Sequence, residues 1–307
     1  MQSNPFFSVV IPLYNKEEFI KNTICSVLQQ SYTNFEIIIV NDGCTDNSVA
    51  VVEEMNSDYI TIIHQKNKGL SSARNTGIKH ANYNYIAFLD ADDLWHEDYL
   101  HTITKLIALD ATTKVFTTQS AILRPKQNAN LSATPFDVKS VLPISNYFKF
   151  KKNIFSNSSI VIEKSVFESI GYYNDTVNYG EEEDFFIRCF SKYKLVHYKE
   201  DKVYYLKGIE NQLTAPNTKR ARIIPDYSKY ITKENTATLK PYIDFIYFKL
   251  LVLSKMERNT TLVKEYKSKI EFSNLTFIQK IKYSLPTPIF YYFKMVYLGL
   301  SKTFSHS

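Results

Sequence analysis

Four times within its first 110 residues or so, the chain alternates between a short apolar run and a stretch whose apolar residues recur three or four apart. The runs are Phe7–Ile11, Glu36–Val40, Tyr59–His64 and Tyr85–Leu89. They are too short for helices and rich in Val, Ile, Phe and Tyr, which predicts buried strands. The first is expected to stop at Pro12. The intervening stretches predict helices: one from Lys16 capped by Asn15, one capped by Thr45 or Asp46, one over about 71–80 and one over about 97–109. A further strand is expected at Lys114–Thr118. Such alternation leads to an α/β domain with a mostly parallel central sheet flanked by helices. Sheets of this kind bind ligands beyond the carboxyl ends of their strands. Two acidic turns fall at such ends, Asn41-Asp42-Gly43 and Asp90-Ala91-Asp92-Asp93, and are expected to converge on one crevice.

Farther along, residues 120–155 are polar and irregular and read as a loop over the site. Ser158–Glu163 and Val203–Leu206 read as strands, and Glu181–Lys192 as a helix with an acidic first turn. Beyond Pro216 the pattern turns helical, at about 217–232, 236–257, 260–272 and 275–304, the last broken at Pro286-Thr287-Pro288. Charge divides at the same place: residues 1–215 carry a net charge of −4 and residues 216–307 a net charge of +10. This predicts a catalytic domain over 1–215 and a basic, aromatic helical region over 216–307 with a different partner. Three separated cysteines, Cys25, Cys44 and Cys189, without a CxxC pair, point to reduced thiols rather than a zinc or disulfide framework. The sequence shows neither a signal-peptide pattern nor an apolar run of about 18 residues, so a cytoplasmic protein is expected.

Several groups could carry chemistry. Carboxylates two apart in a turn, as at Asp90 and Asp92, suit a hard ion such as Mg²⁺ or Mn²⁺ that also holds substrate phosphates. Read alone, the same turn is equally an acidic helix cap. Tyr14, in Pro12-Leu13-Tyr14-Asn15-Lys16-Glu17, offers a flat face for a base, and Asp42 an acceptor for a ring N–H. Arg74, in Asn67-Lys68-Gly69-Leu70-Ser71-Ser72-Ala73-Arg74-Asn75, offers a fork for phosphate. The acids of Gly180-Glu181-Glu182-Glu183-Asp184 suit a helix N-terminus and could include a general base, since crowded acids raise one another's pKa.

In order and spacing, Pro-x-Tyr-Asn, Asn-Asp-Gly, Asn-x-Gly-x-Ser-x-Ala-Arg-Asn-x-Gly and Asp-x-Asp-Asp resemble family 2 glycosyltransferases of the GT-A fold. The resemblance runs from about Ser8 to Leu100, weakens toward Thr214 and is absent from the tail. It implies an inverting, metal-dependent transfer of sugar from a nucleotide-diphosphate donor, a UDP-sugar by expectation, to a glycan or lipid-linked glycan in surface polysaccharide synthesis. It assigns Pro12, Tyr14, Glu17, Asp42, Lys68, Arg74, Asp90 and Ala91 to the nucleotide sugar and Asp92 to Mn²⁺ or Mg²⁺. Glu182 stands where the family has the catalytic Asp of a Glu-Asp pair, with Glu183 and Asp184 as further candidates. The sequence departs from the family in three places. Cys44 replaces a Ser, and Lys207 and Ile209 stand where relatives carry Arg and a metal-binding His. His197 could substitute for that ligand, although a lone His is more often structural.

Two other readings compete: a nucleotidyltransferase of related fold, disfavoured because Pro12–Asn15 is not a Gly-rich, Arg-bearing loop, and a binding protein with a decayed site, disfavoured by the intact acids and Arg74. No nucleic-acid module accompanies the basic tail. Segment 286–304 mixes aromatics with Lys294 and Lys302, which fits either an anionic membrane surface or packing within the protein.

Overall fold

The computed structural model describes residues 4–124, 127–150, 153–208 and 221–303, with side chains of the last helix described as far as Val296. The chain forms two compact units. One comprises Met1–Tyr147, Asn153–Glu210 and Ile223–Pro225, the other Phe148–Lys152, Asn211–Arg222 and Asp226–Ser307.

The first unit opens with β1 (Phe7–Leu13), α1 (Ile20–Leu28), β2 (Phe35–Asp42), α2 (Ser48–Glu53), β3 (Ile60–Gln65), α3 (Leu70–His80) and β4 (Tyr85–Phe88). It continues with β5 (Leu94–Trp95), α4 (Tyr99–Leu109), β6 (Val115–Leu123), β7 (Val141–Ile144), β8 (Ile160–Glu163), α5 (Lys164–Ile170), α6 (Glu181–Phe190) and β9 (Leu195–Leu206). One sheet runs in the order β3-β2-β1-β4-β8-β6-β9-β5, with β7 on β9. The β3-β2-β1-β4 half is parallel, as the alternation requires. Beyond β4 the sheet is mixed, since β8 runs antiparallel to both β4 and β6, and β6 runs parallel to β9.

Strand β1 is buried along its whole length. Its Val9, Ile11 and Leu13 join Ile20, Ile24 and Val27 of α1 and Trp95, Leu100 and Ile103 near and within α4 in the main core. Each such side chain withdraws enough surface from water to contribute about 1.5–3 kcal/mol. On the other face, α3 lies so close that a Cβ on Gly77 would stand 2.3 Å from Val10 Cγ1. Only glycine allows that approach.

Several boundaries differ from expectation. Pro12 continues β1 instead of ending it. Val10 turns its carbonyl to Leu89 N–H of the β4 chain, and two residues on, Pro12 faces the same side past the last β4 pairing, so its missing N–H leaves no gap in a ladder. Asn15 does not cap a helix at Lys16. Its side chain binds Thr45 instead, Lys16 N–H donates to Ser48 Oγ, and α1 starts four residues later. Segment 120–155 is not an open loop. It holds the end of β6 and all of β7, and Glu97 N–H and Thr134 N–H fasten residues 131–134 to the start of α4. There a buried Lys202–Asp98 pair at 2.5 Å completes the anchor.

In the second unit, α7 (Thr236–Met256), α8 (Thr260–Lys269), α9 (Phe277–Ser284) and α10 (Thr287–Thr303) follow the expected pattern, with the break at Pro286. The helix expected over 217–232 is not found in its described part. Residues 221–226 are irregular and 227–230 form a single 3-10 turn. Asp226 turns its carboxylate onto Ser228 N–H, and Arg222 is drawn into a two-pronged pair with Glu257 at 2.8 and 2.6 Å. Lys255 is buried in α7 and its ammonium donates to the carbonyls of Lys282, Tyr283 and Leu285, capping the end of α9.

Candidate active site

The acidic turn follows directly from the end of β4. Asp93 N–H closes onto Asp90 O at 3.0 Å, and the Asp93 carboxylate is wholly buried. It accepts from Ser158 Oγ at 2.5 Å and from Leu206 N–H at 2.9 Å, while Asp90 N–H donates to Ser158 Oγ at 3.0 Å. Burial, then Asp90 and Asp92 beside it, push the Asp93 carboxyl well above the usual range. Asp93 is therefore the anchor of the turn, and it leaves the Asp90 and Asp92 side chains partly open, at 28% and 13% exposure. Ala91 is buried and contributes its carbonyl, which accepts from Thr23 Oγ1.

Asp42, at the end of β2, positions the next element. Its Oδ1 accepts from Gln65 Nε2 and Lys68 N–H, each at 2.8 Å, and its Oδ2 from Gly69 N–H at 2.9 Å. Gly69 has φ +88° and opens α3. One turn later Arg74 lies fully buried beneath the acidic turn. Its Nη2 donates to Asp90 Oδ1 at 2.9 Å. Its Nη1 stands 3.0 Å from Glu182 Oε1, off the N–H axis, so that contact is an ion pair rather than a hydrogen bond. With the Asn157 amide turned to satisfy both its ends, the Asn157 oxygen accepts from Arg74 Nε and Nη2 at 3.0 and 2.9 Å. The Tyr173 ring lies 5.5 Å from the guanidinium, and Asn75 pins Tyr173 through both its backbone N–H and its carbonyl. Burial alone would lower the Arg74 pKa, but Asp90 and Glu182 raise it above its ordinary value, so it stays charged.

The loop after β1 brings a second cation. Asn15 adopts φ +50° and hydrogen-bonds Thr45, and Glu17 Oε2 accepts from Asn47 N–H at 2.8 Å, knitting this loop to the one after β2. The loop thus directs Lys16 Nζ to 2.5 Å from Asp92 Oδ2. Burial raises the Asp92 pKa and Lys16 opposes the rise. Tyr14 stands largely exposed on the same loop, and Pro12 is buried at its base.

At the head of α6, four acids occupy the first turn, where the helix dipole favours them. They are not equivalent. Asp184 is buried and pairs with Arg188 one turn on, at 3.1 Å. Glu181 is buried, and burial raises its pKa. Glu183 is half-buried. Glu182 reaches Arg74 with a third of its side chain exposed. Burial pushes its carboxyl up to about 7, Arg74 opposing and Glu181 and Asp90 adding to the rise.

One guanidinium thus joins Asp90 and Glu182, Lys16 joins Asp92 from the next loop, and Asp42 holds the head of the helix that carries Arg74. Lys68 is exposed and takes part through its N–H. Lys207 is exposed, and Ile209 lies outside the described residues. His197 is buried in β9 against Thr117 Oγ1, with its pKa pushed down to about 4 by burial. Its partner on β6, Thr117, lies six residue steps, or about 20 Å, from Leu123, which pairs with Leu206, the partner of Asp93. Sequence reasoning gave no role to Lys16, Asn157, Ser158 or Tyr173. Lys16 stood within a motif it had singled out, but nothing local signals the other three.

Among the described residues, no three carboxylate, imidazole or thiol groups converge on one point. A divalent ion would therefore take Asp92, with Asp90 two residues away, and complete its shell from phosphate and water. This donor set fits Mg²⁺ or Mn²⁺, which bind through one or two carboxylates and the substrate's phosphates.

Residues 8–167, just over half of the chain, match the model of glycosyl transferase family 2. The chain belongs to that family. Among curated relatives, this family 2 glycosyltransferase is 42% identical over 102 residues to glycosyltransferase GlyA of Streptococcus pneumoniae, 33% of this chain and 15% of that protein. It is 31% identical over 220 residues to glycosyltransferase EpsJ of Bacillus subtilis, 68% of this chain and 63% of that one. It therefore spans less than two thirds of the length of each. Among solved structures, S. aureus TarS in complex with UDP-GlcNAc superimposes with a TM-score of 0.63 at 14% identity, covering 88% of this chain and 82% of the other. The fold is GT-A. The family match ends before Glu182.

Proposed function

We propose that this glycosyltransferase moves a sugar from a UDP-sugar to a hydroxyl of a glycan or lipid-linked glycan, with inversion, in surface polysaccharide synthesis. The observation that carries the reading is the buried Arg74 holding Asp90 and Glu182 on one guanidinium beside Asp92. The likeness in fold to TarS, solved with UDP-GlcNAc, supports a UDP-sugar donor. We assign the chemistry to residues 1–215 and a separate role to residues 216–307.

In this reading Tyr14 lies against the base and Asp90 accepts from the ribose, with Pro12, Glu17, Asp42, Lys68 and Ala91 shaping the pocket. Arg74 keeps Asp90 and Glu182 in place and opposes the rise in the Glu182 pKa; it is a positioning residue. Glu182 is the general base, since Asp184 is committed to Arg188. Glu182 takes the proton of the acceptor hydroxyl as its oxygen bonds to the anomeric carbon from the face opposite the leaving group. The bond from that carbon to the diphosphate oxygen breaks, and its electron pair leaves with the nucleoside diphosphate. A divalent cation at Asp92 supplies, when bound, positive charge for the departing oxygens. Three free thiols suit the reducing cytoplasm, where we place the reaction.

The test is a screen of UDP-, GDP- and dTDP-sugars for Mn²⁺-dependent donor hydrolysis, with Asp92→Ala as control. Hydrolysis of a UDP-sugar, lost in the variant, is expected. Equal rates in the two proteins would remove the metal role, and no hydrolysis or binding of any donor would overturn the reading.

A further inference from the structure

The last two helices present an apolar face that their own unit leaves in solvent. On α10, Ile289, Tyr292, Phe293 and Val296 succeed one another at i, i+3, i+4 and i+7, the spacing of a single helix face. On α9, Phe277, Ile278 and Ile281 form a second such face. These seven side chains are between 43% and 78% exposed. Exposure here is not a sign of undocked helices. Phe290, on the other side of α10, is buried, Tyr291 lies 4.0 Å from the Arg258 guanidinium, and Lys255 holds the last carbonyls of α9. Each helix is thus fixed by one side and shows water an apolar other side, the reverse of a normal surface helix.

Charge selects the occupant. Residues 272–303 contain four lysines and no acidic residue, and Lys280, Lys282 and Lys294 fall beside the apolar positions. A second copy of the chain would bring lysines against lysines with no acid to meet them. A surface that is apolar below and anionic above satisfies both features. Among the described residues no helix is long and apolar enough to cross a membrane, so the helices would lie in the interface.

We propose that the α9–α10 face seats on the surface of an anionic lipid bilayer. Tyr292, Phe293, Ile289 and Val296 of α10, and Phe277, Ile278 and Ile281 of α9, enter the boundary between headgroups and acyl chains. The lysines meet the lipid phosphates.

The test is co-sedimentation of the full chain with phosphatidylcholine vesicles and with vesicles that also contain phosphatidylglycerol. Binding to the anionic vesicles alone, weakening with salt, is expected. The double variant Tyr292→Ser/Phe293→Ser should reduce that binding about tenfold or more, and Lys280→Gln/Lys282→Gln/Lys294→Gln should remove the preference for anionic lipid. All five positions are at the surface, so circular dichroism should be unchanged. Absence of binding to anionic vesicles at low salt overturns the proposal, as does equal binding by the serine variant. A concentration-dependent dimer that the serine variant disperses, without vesicle binding, overturns it in favour of a second copy. Donor hydrolysis in solution should be the same for wild type and serine variant, so this inference and the proposed function fail independently.

Discussion

Lys16 Nζ lies 2.5 Å from Asp92 Oδ2, so the carboxylate that would hold a divalent ion already holds a cation of the protein's own. An ion can settle there only as the ammonium moves away, and a diphosphate in the site gives that ammonium a new partner. Nucleotide and metal should therefore bind cooperatively, each raising the affinity of the other by the same factor. With Lys16→Met, Mn²⁺ alone should bind about three- to tenfold more tightly, and UDP should add less to its affinity than in the wild type. Titration calorimetry with and without UDP reads both effects. Unchanged Mn²⁺ affinity in Lys16→Met would dismiss the competition.

Glu182 should set the acid limb of the pH–rate profile. Its carboxyl is pushed up to about 7, mainly by burial, and a base acts only when deprotonated. Activity should therefore fall as pH drops through about 7. Glu182→Gln should lower kcat by about 10²–10⁴ and abolish that limb. Arg74 opposes the rise, so Arg74→Gln should move the limb to more alkaline pH. A limb that stays in place in Glu182→Gln would point to another acid of the 181–184 turn.

Ser158 serves two acids at once, donating to Asp93 and accepting from Asp90 N–H. Ser158→Ala leaves a buried carboxylate short of a donor, which should cost about 1–3 kcal/mol. Urea denaturation should show a lower midpoint with an unchanged slope.

Gly77→Ala places a methyl group within the packing distance of Val10. We expect a loss of about 1–3 kcal/mol from this overpacking, read as a lower thermal midpoint. Pairing it with Val10→Ala should restore part of the loss.

The parallel half of the fold was legible because its signals are local. Strand runs, helix spacing and acidic turns each fit in a short window, and β1 to β4 lie where the periodicity put them. The mixed half was legible only in part: β6, β8, α6 and the end of β9 were expected, but β5 and β7 were not. Strands β5 and β7 are two and four residues long and owe their form to pairing with β9, and Pro143 makes β7 a poor strand by composition. At the site, the motifs brought forward Arg74, Asp90, Asp92 and Glu182, but not how they are joined. Lys16 meets Asp92 across 76 residues of sequence and Asn75 meets Tyr173 across 98. Ser158 reads only as the first residue of a strand, and Asn157 falls between that strand and the loop read over 120–155; their roles exist only once the chain has closed.

The anchoring of Asp93 bears on how the enzyme comes into being. Its two fixed partners lie 65 and 113 residues downstream. A ribosome that has delivered only the first four strands and the turn after them has already made every acid of that turn but neither of the groups that fix Asp93. Contacts so distant in sequence form late and slowly. The nascent chain should therefore remain inert toward nucleotide sugars until β9 is in place, so that turnover begins only in a finished catalyst.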